Sequence, residues 1–185
     1  MKSISNKKEN YFYDKLTEKR QDSKPLKHKM EETVRKLMEN DTTINKPGML
    51  LGKIQSGKTR AFIGVIALSF DKGYDIAIIL TKGTKALAEQ TYNRLEKDFS
   101  EFIEVDEVQI RDIMHLPDEL SKYELMDKQV FVVKKQTHNL DRIIKALTET
   151  YPDLSKKFFF IVDNEADYAS IGFRKERKDI ELYRS

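Results

Sequence analysis

The sequence of 185 residues contains no cysteine and no tryptophan, and it has only three histidines and four prolines. Without cysteine there are no disulfides and no thiolate sites for zinc or iron–sulfur clusters, and a reducing, cytoplasmic setting is expected. His28, His115 and His138 are scattered with no ligand-forming neighbours, so no metal site is assigned to them. Long hydrophobic runs are missing as well. The longest, Ala61–Phe70, is about half of the roughly 20 residues that a membrane-spanning helix needs. Met1–Asn10 is polar and lysine-rich and lacks the apolar segment of a secretory signal. A protein without membrane partners is expected.

What is present is charge. Hydrophobic residues make up 39% of the chain and charged residues 35%, a balance that suits a single domain with long solvated helices. The net charge of +3 is unevenly spread. Residues 1–60 carry 15 Lys or Arg against 8 Asp or Glu, and the remainder carries 19 against 23. A basic arm beside a neutral-to-acidic body is compatible with nucleic-acid contact, and equally with solvated helix faces.

Periodicity divides the chain into a helical basic N-terminal extension, 1–47, and an α/β region, 48–185. In the extension, Tyr11–Arg20 and Lys27–Asn40 read as helices, the second carrying the stripe Met30, Val34, Leu37 and Met38. Tyr11, Phe12 and Tyr13 are assigned to packing rather than to stacking on a base. After Pro47–Gly48, a short strand Met49–Leu51 leads through a glycine-bearing loop into an apolar helix Lys58–Phe70, which ends at Asp71-Lys72-Gly73. Further strands are expected at Asp75–Leu80, Val105–Ile110, Gln129–Val133 and Phe158–Val162. Helices are expected at Lys85–Phe99, Pro117–Met126 and from about Asn139 to Thr150. Alternating strands and helices predict a parallel sheet covered on both faces, with ligands at the carboxyl ends of the strands.

The residues with chemical potential all follow strand ends. Gly52-Lys53-Ile54-Gln55-Ser56-Gly57-Lys58-Thr59, with Arg60 next, fits G-x-x-x-x-G-K-[ST] between a strand and a helix. The glycines let successive N–H groups face an anion, and the helix adds its positive end. Lys58 would then reach the β- and γ-phosphates of ATP, and Thr59 would offer its hydroxyl to Mg²⁺. The strand ending at Val162 runs into Asp163-Asn164-Glu165-Ala166-Asp167, the form of an acidic strand end. Glu165 is the candidate to orient or deprotonate an attacking water. Two registers are open for the metal: one places Asn164 at the metal-holding position, the other Asp163, and we assign Asp163.

With both motifs in hand, the sequence resembles the first RecA-like lobe of superfamily 2, DEAD-like helicases. Thr81-Lys82, followed by Leu87-Ala88-Glu89-Gln90, is similar to the segment of that family that grips a nucleic-acid backbone; its proline is absent and extra residues intervene. The resemblance implies backbone contacts by Thr81 and Lys82, and Lys134, with Lys135, is a further candidate at a strand end. A narrower likeness is to the helicase-like Z-one endonuclease-domain family of bacterial and phage-defence proteins. It is carried by Gln55–Thr59, Gly73-Tyr74, Leu80-Thr81, Gln90-Thr91, Val132–Lys135 and Glu165–Ser170, with Asn164 where that family shows a second Asp.

What the resemblance implies is an ATP- and magnesium-dependent lobe of a nucleic-acid-dependent ATPase, with DNA preferred over RNA. It also implies a second RecA-like lobe in a longer parent protein that supplies the finger arginine; Arg174, Arg177 and Arg184 are not assigned that role. As an isolated lobe it should hydrolyse ATP slowly or not at all. Gln21 is the upstream candidate for adenine. A non-hydrolysing nucleotide-binding module and another P-loop class, such as a small kinase, are the alternatives; a GTPase is disfavoured because no N-K-x-D motif follows the loop.

Overall fold

The computed structural model of the chain describes residues 10–40, 57–82 and 84–164. Helices α1 (Tyr11–Arg20), α2 (Lys24–Glu39) and α3 (Lys58–Asp71) precede strand β1 (Ile76–Thr81). They are followed by α4 (Lys85–Ile103), β2 (Val108–Asp112), α5 (Lys122–Met126), β3 (Lys128–Lys134), α6 (Thr137–Lys145) and β4 (Phe159–Asp163). The four strands form one sheet in the order β2-β3-β1-β4, and every pairing is parallel. The expected α/β class and helix-covered parallel sheet are therefore present. The strand expected at Met49–Leu51 and the boundary near residue 47 lie outside the described residues.

Alternation along the strands builds the layers. Ala77 and Ile79 of β1 and Val130 and Val132 of β3 join one core with α1 to α4. Their neighbours Ile76, Ile78, Phe131 and Val133 face a second core with Ile143 of α6, Ala146, Tyr151 and Leu154. Strand β1 is almost wholly apolar, and β3 carries the unbroken apolar run Val130–Val133, because both are buried on both faces. On α4 the residues Ala88, Thr91, Leu95, Phe99 and Phe102 form the buried stripe at helical spacing. The last two are aromatic and fully buried, each contributing roughly 1.5–3 kcal/mol through burial. They carry α4 to Ile103, four residues past its expected end. The helix then stops at a turn in which Asp106 adopts φ 55°, so β2 begins at Val108 rather than Val105.

Other boundaries moved for local reasons. Helix α2 starts at Lys24 because Pro25 is tolerated in a first turn, where its missing N–H costs nothing. The helix expected over Pro117–Met126 shortens to α5, whose start is fixed by a reciprocal cap between Ser121 and Glu124. The helix expected to run to Thr150 is α6 followed by a π-helical turn over Ala146–Thr150. Gly73, at φ 98°, ends the α3 connection as its sequence position suggested.

Tyr11, Phe12 and Tyr13 pack, as assigned. The Phe12 ring lies 5.0 Å from that of Phe102 and 5.9 Å from that of Phe70, and Tyr13 is buried. Helices α1 and α2 thus share a core with α3 and α4 rather than standing apart from the sheet. No helix among the described residues is long and apolar enough to cross a membrane.

Candidate functional site

Gly57 takes φ 73°, a left-handed conformation open to glycine at little cost, and α3 begins at Lys58 immediately after it. The first turn of α3 contains no acidic residue, and no side chain among the described residues caps it. Ala61 N–H bonds back to the Gly57 carbonyl at 2.9 Å. The N–H groups of Lys58, Thr59 and Arg60 precede that bond, so they are the orphan donors of the helix and carry its positive end. Gly52, Lys53, Ile54, Gln55 and Ser56 lie outside the described residues.

The start of α3 opens into a cavity of about 780 Å³. Its walls carry six cationic side chains (Lys19, Arg20, Lys58, Arg60, Arg94 and Lys97) against one carboxylate, Asp98. Three of the six are occupied. Asp22, whose side chain is fully buried, accepts from both Arg20 and Arg60. Arg20 also reaches Asp98 at 3.0 Å, and Arg60 donates to the Arg20 carbonyl. Lys19 donates to the Lys97 carbonyl at 3.2 Å and to Ser100 Oγ at 2.7 Å. Lys58, Arg94 and Lys97 have no carboxylate partner among the described residues. Arg94 Nη1 instead donates to Thr59 Oγ1 at 3.0 Å. The result is a cavity with surplus positive charge beside helix N–H groups that no side chain among the described residues caps, a chemistry that suits a polyanion. Within it, Arg60 is turned to Asp22.

A second group of predicted residues meets at the carboxyl edge of the sheet. The register sets Thr81 opposite Lys134 and Leu80 opposite Asp163, so the ends of β1, β3 and β4 are level. Lys135 N–H bonds the Thr81 carbonyl at 2.9 Å, and Asn164 N–H bonds the Leu80 carbonyl at 2.9 Å. The ammonium of Lys135 is ion-paired with the Asp163 carboxylate. Thr81 is 1% exposed and its hydroxyl finds no hydrogen-bond partner among the described residues, whereas Lys82 and Lys134 are half-buried. Asp163 is not part of the wall of the cavity at α3. Among the described residues no three His, Asp or Glu side chains converge. Glu165, with Arg174, Arg177 and Arg184, lies outside the described residues. Gln21 is exposed at the end of α1, at φ 53°.

Arg94, Lys97, Lys19 and Arg20 were not singled out in the sequence. The signal that could have found Arg94 is the stripe on α4: with Thr91 and Leu95 directed inward, Arg94 lies at the flank of the buried face, whereas Lys97, two residues from both Leu95 and Phe99, lies away from it. Nothing local marks Lys19 or Arg20, which arrive only through the packing of α1.

No known protein family matches the chain, and neither a curated protein nor a solved structure matches it.

Proposed function

We propose that the chain is the ATP-binding lobe of a helicase-like, nucleic-acid-dependent ATPase of RecA-like, P-loop type. The observation that carries this reading is the start of α3. The final Gly57-Lys58-Thr59 of a complete G-x-x-x-x-G-K-[ST] sequence opens a helix, uncapped by side chains among the described residues, into a cation-rich cavity. Position along the fold supports it too. The turn after α3 leads to the start of β1, and a 14-residue helix spans about 21 Å, so Lys58 lies far from that start.

The cations and N–H groups at the start of α3 suit the phosphates of a magnesium-bound triphosphate. Backbone N–H groups and Lys58 would hold the phosphates and Thr59 would help to hold the metal, which supplies charge neutralisation; Asp163, assigned to the metal from its strand end, lies outside the wall of this cavity. Lys58 places a point charge on the phosphates, and the α3 N–H groups fix their position. Glu165 would orient the attacking water. At the carboxyl edge, Lys82 and Lys134 offer cations at the level of Thr81. Such contacts position a nucleic-acid backbone without reading its sequence. A second RecA-like lobe and DNA are the partners this reading calls for, in a cytoplasmic setting.

One observation favours a second reading, a nucleotide-binding module without turnover. Asp163 is neutralised by Lys135, and the residue after it is Asn164. Single-stranded DNA binding separates the two. Fluorescence anisotropy at low salt should give binding that weakens as salt rises, with a shallower salt slope for Lys82→Ala and Lys134→Ala by about one unit each. It should also respond to Mg·ATP. Absence of DNA binding at about 50 mM salt would leave the module reading as the better one.

A further inference from the structure

Of the cations in and beside the loop, the motif assigns one, Lys58, to the outer phosphates. We propose that Arg94, from the middle of α4, is a second phosphate-contacting residue there, one that discriminates a nucleoside triphosphate from a diphosphate. This rests on the reading of the start of α3 as a nucleotide-phosphate site.

Three observations converge on Arg94. It lines the same cavity as Lys58 and Thr59, although 35 residues separate it from Thr59. Its guanidinium donates to the Thr59 hydroxyl at 3.0 Å, the group that the motif would offer to a metal accompanying the outer phosphates. A cation touching that hydroxyl is therefore at the level of those phosphates, not of the sugar. Finally, the other two arginines of the cavity are committed elsewhere. Arg20 is held by Asp22 and Asp98, and Arg60 by Asp22 and the Arg20 carbonyl. Arg94 is the cavity arginine with no carboxylate partner among the described residues.

The chemistry follows from the charges. A hydroxyl has two lone pairs, and Arg94 uses one. A divalent cation on the other would set two cations side by side on one oxygen, which repel. An exposed arginine has the reach to turn from Thr59 onto a neighbouring non-bridging phosphate oxygen, where its planar fork makes two charge-assisted hydrogen bonds. The proposed contact is with an oxygen of the γ-phosphate, which a diphosphate lacks, and that is the source of the discrimination. Helix α4 adds a consequence: it begins four residues after Thr81 and carries Arg94 about 13 Å along its axis, so one helix joins the Lys82 edge to the phosphate cavity.

Calorimetric titration with Mg·ATP and Mg·ADP, on the chain and on its Arg94→Ala, Arg94→Lys and Lys58→Ala variants, tests this. Arg94→Ala should weaken ATP binding about tenfold or more and ADP binding by less than about threefold. Arg94→Lys should fall between, since it keeps the charge and loses the fork. Melting temperature should stay within about 2 °C, because Arg94 is exposed. Equal weakening of both nucleotides overturns the proposal. So does unchanged ATP affinity in Arg94→Ala while Lys58→Ala abolishes binding, and in that case the phosphate site itself stands. If the unaltered chain binds neither nucleotide, the underlying reading falls and this inference with it.

Discussion

Asp22 has no solvent exposure at its side chain and sits between the guanidinium groups of Arg20 and Arg60, joining the end of α1 to the first turn of α3. Removing one member of a buried ion pair leaves the other charge uncompensated, which costs about 3–5 kcal/mol. Asp22→Ala should therefore lower stability by that amount in denaturant titration, more than Arg60→Ala, whose side chain is 44% exposed. Asp71 works at the opposite end of α3. Its carboxylate accepts from the N–H groups of Phe12 at 3.0 Å and Tyr13 at 2.9 Å, capping α1 from a distant helix. Asp71→Ala should cost about 1–2 kcal/mol, as loss of a helix cap does. Burial pushes the Asp71 carboxyl above its ordinary range despite those two donors. A raised folded-state value gives stability that is present at acid pH and lost as pH rises through it. The stability advantage of the native chain over Asp71→Asn should therefore grow as pH falls from 7 towards 4. Glu124 behaves in the reverse sense. The Ser121 cap and Arg111 hold its carboxyl low, so its contribution is lost on acidification.

Among the elements, α3 is the one on which the rest depend, and Gly64 is its contact point with α2. A Cβ at Gly64 would collide with the Sδ of Met30, with Cε following at 3.1 Å, and Met30 is fully buried. Gly64→Ala gains about 1 kcal/mol of helix propensity and loses about 1–3 kcal/mol to overpacking. A net drop in melting temperature is expected, and it should disappear in a Met30→Ala background, where the side chain that must move is gone. Such contacts explain what the sequence did and did not disclose. Strands β1 and β3 were legible because burial on both faces leaves an unbroken apolar run, and α1 was legible to its last residue. The end of α4 was not, because Phe99 and Phe102 extend a stripe whose surroundings, Phe12 and Phe70, come from far along the chain. The basic cavity was half-legible: Lys58 and Thr59 carry a motif, whereas Arg94 and Lys19 are ordinary helix-surface residues until α1, α3 and α4 are packed together.

At the scale of the whole molecule, two clusters stand out, the cavity at the start of α3 and the carboxyl edge where Thr81, Lys134 and Asp163 are level. The second is what a parallel sheet predicts for residues that follow its strands, and it could be anticipated from the alternation of elements alone. What could not be anticipated is that cations hold both proposed metal-side groups, Arg94 the hydroxyl of Thr59 and Lys135 the carboxylate of Asp163. The outer edge of the sheet is also informative. Strand β4 pairs only with β1 among the described residues, and Ile161 and the adjoining Phe158 are 61% and 72% exposed. An apolar edge strand of this kind, open among the described residues, can pair with a further strand. The central claim, that the start of α3 binds a nucleotide through its phosphates, is tested most directly by calorimetric titration of the chain and of Lys58→Ala with Mg·ATP. Saturable binding by the native chain is expected, lost or weakened at least tenfold in a variant whose melting temperature is unchanged. Equal affinity in the two proteins, or no binding by the native chain, would contradict it.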